Sequence, residues 1–322
     1  MISHRDLQRK SVTGVSVLHV LCFIMSQLKQ QIVKENLPVP WGHIAAKIYG
    51  PPKEKKILVV HGTLDNSGSF DRLIELLPYE YQYVSIDLPG HGFSSHFPPG
   101  LPLQYFDYVY TIFLVLNTLK WKTCIYLSHS FGTQIGVDFS VLYPGRLQKI
   151  ISVDGLVPLP IEDTINHIKR IYSLDVYDKV KDTLYTKEEV IYALQYKRRE
   201  ALNSEAAEAM FTRAVTKVGD KYKYNRDPRL RIMVRPVFTK QQRIHFWQKF
   251  STPIFVIVAN KSNQYVKLMT IMEDIKNIVA NNCNSKFIVV PVIGNHDVHN
   301  NYPERVAPYV CEFLKDDTRS KL

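Results

Sequence analysis

Residues Cys124–Gly132 read CIYLSHSFG. An apolar, β-branched run ends at Ser128, and a segment with apolar residues at helical spacing begins at Thr133. Between them lies the pattern small-x-Ser-x-Gly, which is typical of a nucleophile elbow, where a strand enters a tight turn, the turn exposes a serine and a helix follows. The pattern predicts Ser130 as a nucleophile. Taken alone, it also fits an ordinary strand–turn–helix joint.

Strand-like and helix-like segments alternate on both sides of this stretch. Residues 31–39 and 42–49 alternate around Pro40, Trp41 and Gly42, which predicts an antiparallel hairpin. Further strands are predicted at Lys56–Val60, Tyr81–Ile86, Leu147–Val153, Ile254–Val258 and Lys286–Pro291, and helices near Ser69–Leu77, Gln104–Leu119, Thr133–Tyr143, Tyr265–Val279 and Pro303–Leu314. Alternating β and α units imply an α/β fold with a mainly parallel sheet and helices on both faces.

The alternation stops between about Leu156 and Phe250, where helical periodicity, aromatic residues and charges dominate. A helical insertion at this point predicts a cap over the carboxyl ends of the strands, where such sheets bind ligands. We therefore expect a core formed by residues 30–155 and 251–315 and a cap formed by residues 156–250. Residues 1–29 are predicted to be an extension without stable order, and residues 316–322 a flexible tail.

Serine catalysis requires a base, an acid that orients the base, and two N–H donors for the oxyanion. His296 follows the last predicted strand, where the chain order of such sites places the base, and His299 is the alternative. The N–H groups of Phe131, directly after the nucleophile, and of Thr63, in the loop after Val60, are the predicted oxyanion donors.

The acid is harder to assign from the sequence. The loop after Ile254–Val258 would ordinarily supply it, but Asn260–Gln264 contains no carboxylate. Asp154 stands at the end of the preceding strand and is the predicted acid, although it could equally cap the turn into the residues that follow. A site without an acid would favour the alternative function, a catalytically weak or inactive binding protein of the same fold.

The composition excludes several other classes. The chain has 322 residues, 45% of them hydrophobic, with a formal net charge of +11. Its basic residues are scattered instead of clustered, so we expect no nucleic-acid partner. Four separated cysteines argue against a disulfide scaffold. The stretch Gly294–Asp297 resembles a metallophosphoesterase motif, but the upstream metal-binding segments of that class are missing, so we expect no metal and no cofactor.

The two ends of the chain suggest location. An apolar run from Val12 to Met25 is interrupted by polar residues and is interpreted as an amphipathic or poorly ordered extension. The chain ends in Ser320, Lys321 and Leu322, the tripeptide read by the peroxisomal import receptor. We therefore expect a peroxisomal location, with a cytoplasmic or vesicle-associated one as the alternative.

Several motifs together resemble one known family. They are Val39–Ala45, His61–Asn66, Gly90–His96, His129–Gly132 and Gly294–His296 in the core, and Tyr196–Arg199 and Asn225–Asp227 in the cap. Over about residues 30–315 the chain resembles the serine hydrolase-like (kraken-like) family of α/β-hydrolases. The resemblance implies an α/β-hydrolase fold, a Ser130 nucleophile and association with peroxisomes or vesicles. This chain departs from the family pattern at Ser128, at Thr63 and in the acid-free loop Asn260–Gln264.

The residues and the resemblance together predict a serine hydrolase acting on a small-molecule acyl substrate. It would cleave a carboxylic ester or thioester through a Ser130 acyl-enzyme, with His296 as general base. The aromatic-rich cap favours an apolar acyl or aryl portion, and the net positive charge is compatible with an anionic end. The sequence leaves the oligomeric state open.

Overall fold

The computed structural model describes residues 32–158, 161–173, 183–232, 234–280 and 286–315. The predicted N-terminal extension and the tripeptide Ser320–Leu322 lie outside these ranges. The strands are β1 Ile32–Val39, β2 Gly42–Tyr49, β3 Lys56–Val60, β4 Gln82–Ile86, β5 Cys124–His129, β6 Leu147–Val153, β7 Val215–Val218, β8 Lys221–Tyr224, β9 Ile254–Ala259 and β10 Phe287–Val292.

The described α-helices are α1 Asp71–Ile74, α2 Tyr105–Thr118, α3 Phe131–Leu142, α4 Thr164–Ile171, α5 Lys187–Tyr196, α6 Ser204–Ala214, α7 Lys240–Lys249, α8 Tyr265–Ala280, α9 Val298–Asn301 and α10 Pro303–Lys315. Two short 3₁₀ helices, Ser67–Phe70 and Pro228–Arg231, complete the described elements. None of the described helices has both the length and the apolar character needed to cross a bilayer.

Eight strands form one sheet in the order β1-β2-β4-β3-β5-β6-β9-β10. Strands β1 and β2 form the predicted hairpin, and β2 pairs antiparallel with β4. All the other neighbours in this sheet pair in parallel. The predicted mainly parallel α/β sheet is therefore confirmed. Because parallel strands end at the same edge, the loops after β3, β5, β6, β9 and β10 meet there.

The central strands are apolar on both faces because helices cover both faces. On one side, alternate strand residues such as Leu58, Tyr126 and Val256 pack with residues of α2, α3 and α8. On the other side, the intervening residues such as Val59 and Ile257 pack with α1 and α10. The two apolar layers hold the strand ends, and hence the loops that follow them, in place.

The structure departs from the predicted elements in three places. The helix predicted at Ser69–Leu77 is a 3₁₀ turn followed by the short α1. A short helix, α9, precedes the last helix and was not predicted. Besides helices, the cap contains the two-stranded β7–β8 hairpin. Most residues of these two strands are exposed, including Lys217 and Lys221. The hairpin therefore lacks the continuous apolar run by which buried strands are recognised in a sequence.

Candidate active site

Ser130 occupies the turn between β5 and α3 with φ 49°, a backbone region that costs energy for any residue except glycine. The surrounding contacts hold it there. The Ser130 N–H donates to the carbonyl of Val153 at 3.1 Å. A Cβ on Gly132 would lie 2.4 Å from the Val60 carbonyl oxygen, and one on Gly155 would lie 2.7 Å from Ser130 Cα. Only glycine fits at these two positions, which explains why the turn requires Gly132.

Ser128, which stands where the elbow pattern usually has glycine, is fully buried in β5. Its hydroxyl pairs with Thr133 Oγ1 at 3.0 Å, and Thr133 Oγ1 pairs with Ser152 Oγ at 3.1 Å. Ser152 in turn donates to the carbonyl of Gly155. This chain of hydroxyls joins the two strand ends that flank Ser130, so Ser128 is accommodated by its hydrogen bonds.

His296 and Asp154 lie beside the serine. His296 Nε2 is 2.9 Å from Ser130 Oγ, and His296 Nδ1 is 2.6 Å from Asp154 Oδ2. Asp154 is 3% exposed, and the three residues follow β10, β5 and β6. The structure thus brings together Ser130, His296 and Asp154, the three residues that the sequence analysis selected. With Nδ1–H directed at the carboxylate, Nε2 is free to accept the serine proton.

The position of Asp154 also accounts for the acid-free loop after β9. Strand β6 is the neighbour of β9, and the Asp154 N–H donates to the carbonyl of Ile257 at 2.8 Å. Asp154 Oδ1 accepts a hydrogen bond from the Ala259 N–H at 2.9 Å. The carboxylate therefore lies over the end of β9, beside the loop that would ordinarily supply an acid.

The charges around His296 change its acidity. Burial of the ring acts to lower its pKa, but the hydrogen bond from the ring to Asp154 and the charge of Asp154 act against burial. Asp297 and Glu200 add further negative charge, and the net result is a pKa of His296 raised above its usual value. An imidazole in this setting is a stronger base than a free one.

His299, the alternative base, lies elsewhere. Its ring packs between His129, with 4.1 Å between the ring centroids, and Phe70 at 4.7 Å. The side chain is fully buried, and among the described residues no group hydrogen-bonds either ring nitrogen. Burial, followed by the charge of His129, holds the pKa of His299 well below its usual value. The structure places His296, and not His299, against the serine hydroxyl.

The two predicted oxyanion donors border the same space as Ser130. Thr63 and Phe131 line a cavity of about 310 Å³ together with Ser130 and His296. Phe131 is the first residue of α3, where backbone N–H groups have no partner within the helix. Among the described residues, no group accepts a hydrogen bond from either backbone N–H.

A cap residue that the sequence analysis did not assign, Arg198, connects two core loops. Its Nη2 donates to Asp65 Oδ1 at 2.7 Å and to Asp297 Oδ1 at 3.1 Å. Asp65 Oδ2 lies 3.1 Å from His129 Nδ1, and His129 Nε2 lies 3.0 Å from the carbonyl oxygen of His296. The contacts link the cap to residues adjacent to both the serine and its base.

Glu200 is a second cap residue missed from the sequence. Its Oε2 accepts a hydrogen bond from the His296 N–H at 2.6 Å, and its Oε1 accepts one from the Asn263 N–H at 2.8 Å. Glu200 therefore holds the histidine loop and the acid-free loop in position from above. The neighbouring stretch Tyr196–Arg199, which belongs to the family resemblance, was the available signal in this region.

Within the described ranges, one group of side chains has ligand atoms close enough for a metal ion: Asp65, His129 and Asp297, all within 4.8 Å of one another. Both carboxylates already bind the Arg198 guanidinium. Burial acts to raise the pKa of Asp65, but Arg198 and His129 hold it well below its usual value. The positive charge that this cluster requires is thus supplied by the protein itself.

Comparison with known families places this geometry in context. The family profile described as the alpha/beta hydrolase fold matches residues 55–300. The chain is 32% identical over 298 residues to a serine hydrolase-like protein of Mus musculus, covering 87% of this chain and 94% of that protein. It is also 32% identical over 298 residues to serine hydrolase-like protein 2 of Homo sapiens, covering 87% and 93%.

Solved structures show the same fold. A hypothetical protein of Pseudomonas aeruginosa superimposes with a TM-score of 0.74 at 24% identity, covering 87% of this chain and 97% of that one. The thioesterase domain from the curacin biosynthetic pathway superimposes with a TM-score of 0.71 at 18% identity, covering 87% and 99%. These likenesses concern the fold alone.

Proposed function

Because the chain belongs to the α/β-hydrolase family and, within it, to the serine hydrolase-like proteins, we propose that it hydrolyses a carboxylic ester or thioester through a covalent acyl-serine at Ser130. The fold is that of hydrolases. The bond cleaved and the roles of individual residues are our proposal.

In the proposed reaction, His296 Nε2 accepts the proton of the Ser130 hydroxyl as Oγ attacks the substrate carbonyl carbon. The N–H groups of Phe131 and Thr63 stabilise the oxyanion. The tetrahedral intermediate collapses when the leaving alcohol or thiol takes the proton from His296. A water molecule then attacks the acyl carbon as His296 accepts its proton. When this second tetrahedral intermediate collapses, the bond from the acyl carbon to Ser130 Oγ breaks, His296 returns the proton to Oγ, and the carboxylic acid leaves. Asp154 keeps Nδ1 protonated and stabilises the imidazolium throughout.

The observation that carries the proposal is the continuous hydrogen-bonded series Asp154 Oδ2, His296 and Ser130 Oγ, with links of 2.6 and 2.9 Å. The serine end of this series opens into the cavity, and the acid end is buried. A nucleophile, its base and an orienting acid in this arrangement are the parts that acyl transfer requires.

A fluorophosphonate probe tests the proposal because it reacts preferentially with serines that an adjacent base activates. We expect labelling of the wild-type chain and none of Ser130→Ala. The control is Ser140→Ala in α3, the helix that follows Ser130; the Ser140 hydroxyl donates to the Val137 carbonyl at 2.8 Å. It should label like the wild type. A folded wild-type chain that stays unlabelled would instead support the alternative, an inactive hydrolase-fold binding protein.

A further inference from the structure

The cap side of the active-site cavity is rich in positive charge. Lys197, Arg199 and Arg226 line this cavity together with Ser130. Lys197 and Arg199 follow α5, and Arg226 follows the β7–β8 hairpin. Cationic side chains from two separate segments of the cap therefore line one space that also contains the nucleophile.

The carboxylates that line the cavity are bound to groups other than these three cations. Asp65 and Asp297 both bind Arg198, and Glu200 binds two backbone N–H groups. Among the described residues, no carboxylate lies within ion-pair distance of Arg199 or Arg226.

Two of these cations make cation–π contacts with tyrosine rings, and such contacts leave the positive charge in place. The Arg226 guanidinium lies 4.7 Å from the centre of the Tyr224 ring, and the Lys197 ammonium lies 5.5 Å from that of Tyr192. Burial, together with the nearby charges of Arg231 and Arg198, lowers the pKa of Arg226. Like charges placed close together repel one another, and a bound anion would offset this unfavourable electrostatic energy.

We propose that Arg199 and Arg226, with Lys197, form an anion-binding subsite, and that the substrate is an ester or thioester bearing a carboxylate or phosphate group. This inference rests on the proposed Ser130 hydrolase function. The guanidinium group suits either anion because it binds both in a bidentate manner. Phe131, Leu194 and Ala214 border the cavity as well and would contact the apolar part of the substrate. A cavity of about 310 Å³ is within the size range of small-molecule sites.

A matched pair of substrates tests the subsite. The mono-4-nitrophenyl ester of adipic acid carries a free carboxylate, and its methyl ester is the same molecule with that charge masked. We expect the wild type to prefer the charged ester in kcat/KM, and this preference to fall about tenfold or more in Arg226→Gln and in Arg199→Gln, because each removes a charge-assisted hydrogen bond. Raising the salt concentration should reduce the preference as well.

Lys217→Gln is the charge-matched control, since Lys217 is exposed on the cap hairpin and does not line the cavity. It should retain the wild-type preference. Equal turnover of the two esters by the wild type would overturn the subsite while leaving the hydrolase function in place. So would an equal loss of preference in Lys217→Gln.

Binding without catalysis separates the subsite from the reaction. In Ser130→Ala, adipate and inorganic phosphate are titrated separately by calorimetry. Binding of adipate alone identifies a carboxylate ligand, binding of phosphate alone a phosphate ligand, and either should be lost in Ser130→Ala combined with Arg226→Gln. If neither adipate nor phosphate binds, the subsite is refuted. Should fluorophosphonate labelling fail while an anion binds, it is the hydrolase function that is refuted.

Discussion

The core and the cap differ in the interactions that stabilise them. In the core, apolar side chains fill both faces of the sheet, and fully buried residues such as Leu58, Ile151 and Val256 position the strand ends. The cap has a small apolar cluster of its own, around Val190 and Met210. Its contacts with the active-site loops include those of two charged side chains, Arg198 and Glu200.

Buried ion pairs form part of the junction between the two regions, beside cap residues such as Leu230 and Trp247 that pack in the core. Arg213 of the cap donates to Asp87 Oδ2 at 2.6 and 2.9 Å, and Asp87 is fully buried after β4. Burial acts to raise the pKa of Asp87, but Arg213 holds it below its usual value. Arg229 donates to the carbonyls of Phe97 and Leu101, each at 2.7 Å. The cap thus contributes charges whose partners lie in core loops.

The core and the cap also contribute different kinds of residue to the active site. The proposed reacting groups Ser130, His296 and Asp154 all belong to the core, where packing tolerates little displacement. Arg198 and Glu200, which hold the loops around them, belong to the cap. Since a buried charge without its partner is costly, separating the cap from the active-site loops should destabilise the fold.

The largest effect should come from the core. Asp154→Asn keeps the shape of the side chain but removes the charge that orients His296. We expect kcat to fall about 10³- to 10⁴-fold, because the imidazole loses its productive tautomer. Turnover of an activated ester measures this, and thermal unfolding shows whether the fold is retained. Unchanged turnover would mean that another group orients His296.

An intermediate effect should come from the junction. Arg198→Met leaves Asp65 and Asp297 buried without their cation, so we expect a loss of about 3–5 kcal/mol in the free energy of unfolding. The matched control is Lys187→Met, which breaks a cap ion pair with Glu208 whose side chains are 45% and 51% exposed. That change should cost less than about 1 kcal/mol. Denaturant titration measures the free energy of unfolding of both variants. Equal losses would show that the buried ion pairs of Arg198 stabilise the fold no more than an exposed pair does.

The smallest effect should come from Glu200, a cap charge that lies beside the His296 backbone. Glu200 is among the charges that raise the pKa of His296, so Glu200→Gln should lower that pKa. His296 must be neutral to accept a proton, and the acid limb of the kcat/KM profile should therefore move to lower pH. Glu208→Gln on the exposed face of the cap should leave the limb in place. Movement to higher pH would contradict the assigned role of Glu200.

Much of the fold was predictable because its signals are local. Buried parallel strands such as Lys56–Val60 and Leu147–Val153 are short continuous apolar runs, and the helix after Ser130 has clear periodicity. The cap hairpin Val215–Tyr224 was missed because its strands are short and largely exposed. The assignments of Ser130, His296 and Asp154 remain predictions of catalytic role, which the structure supports by their proximity.

The sequence by itself determined the alternation of strands and helices, the elbow at Ser130 and the loops that hold His296 and Asp154, because backbone geometry and burial leave periodic local patterns. Only the tertiary structure decided that the Asp154 carboxylate lies against the His296 ring. That outcome depends on β6 lying beside β9, a pairing of strands separated by the whole cap. The contacts of Arg198 and Glu200 likewise depend on how the cap lies over the core, which no local pattern records.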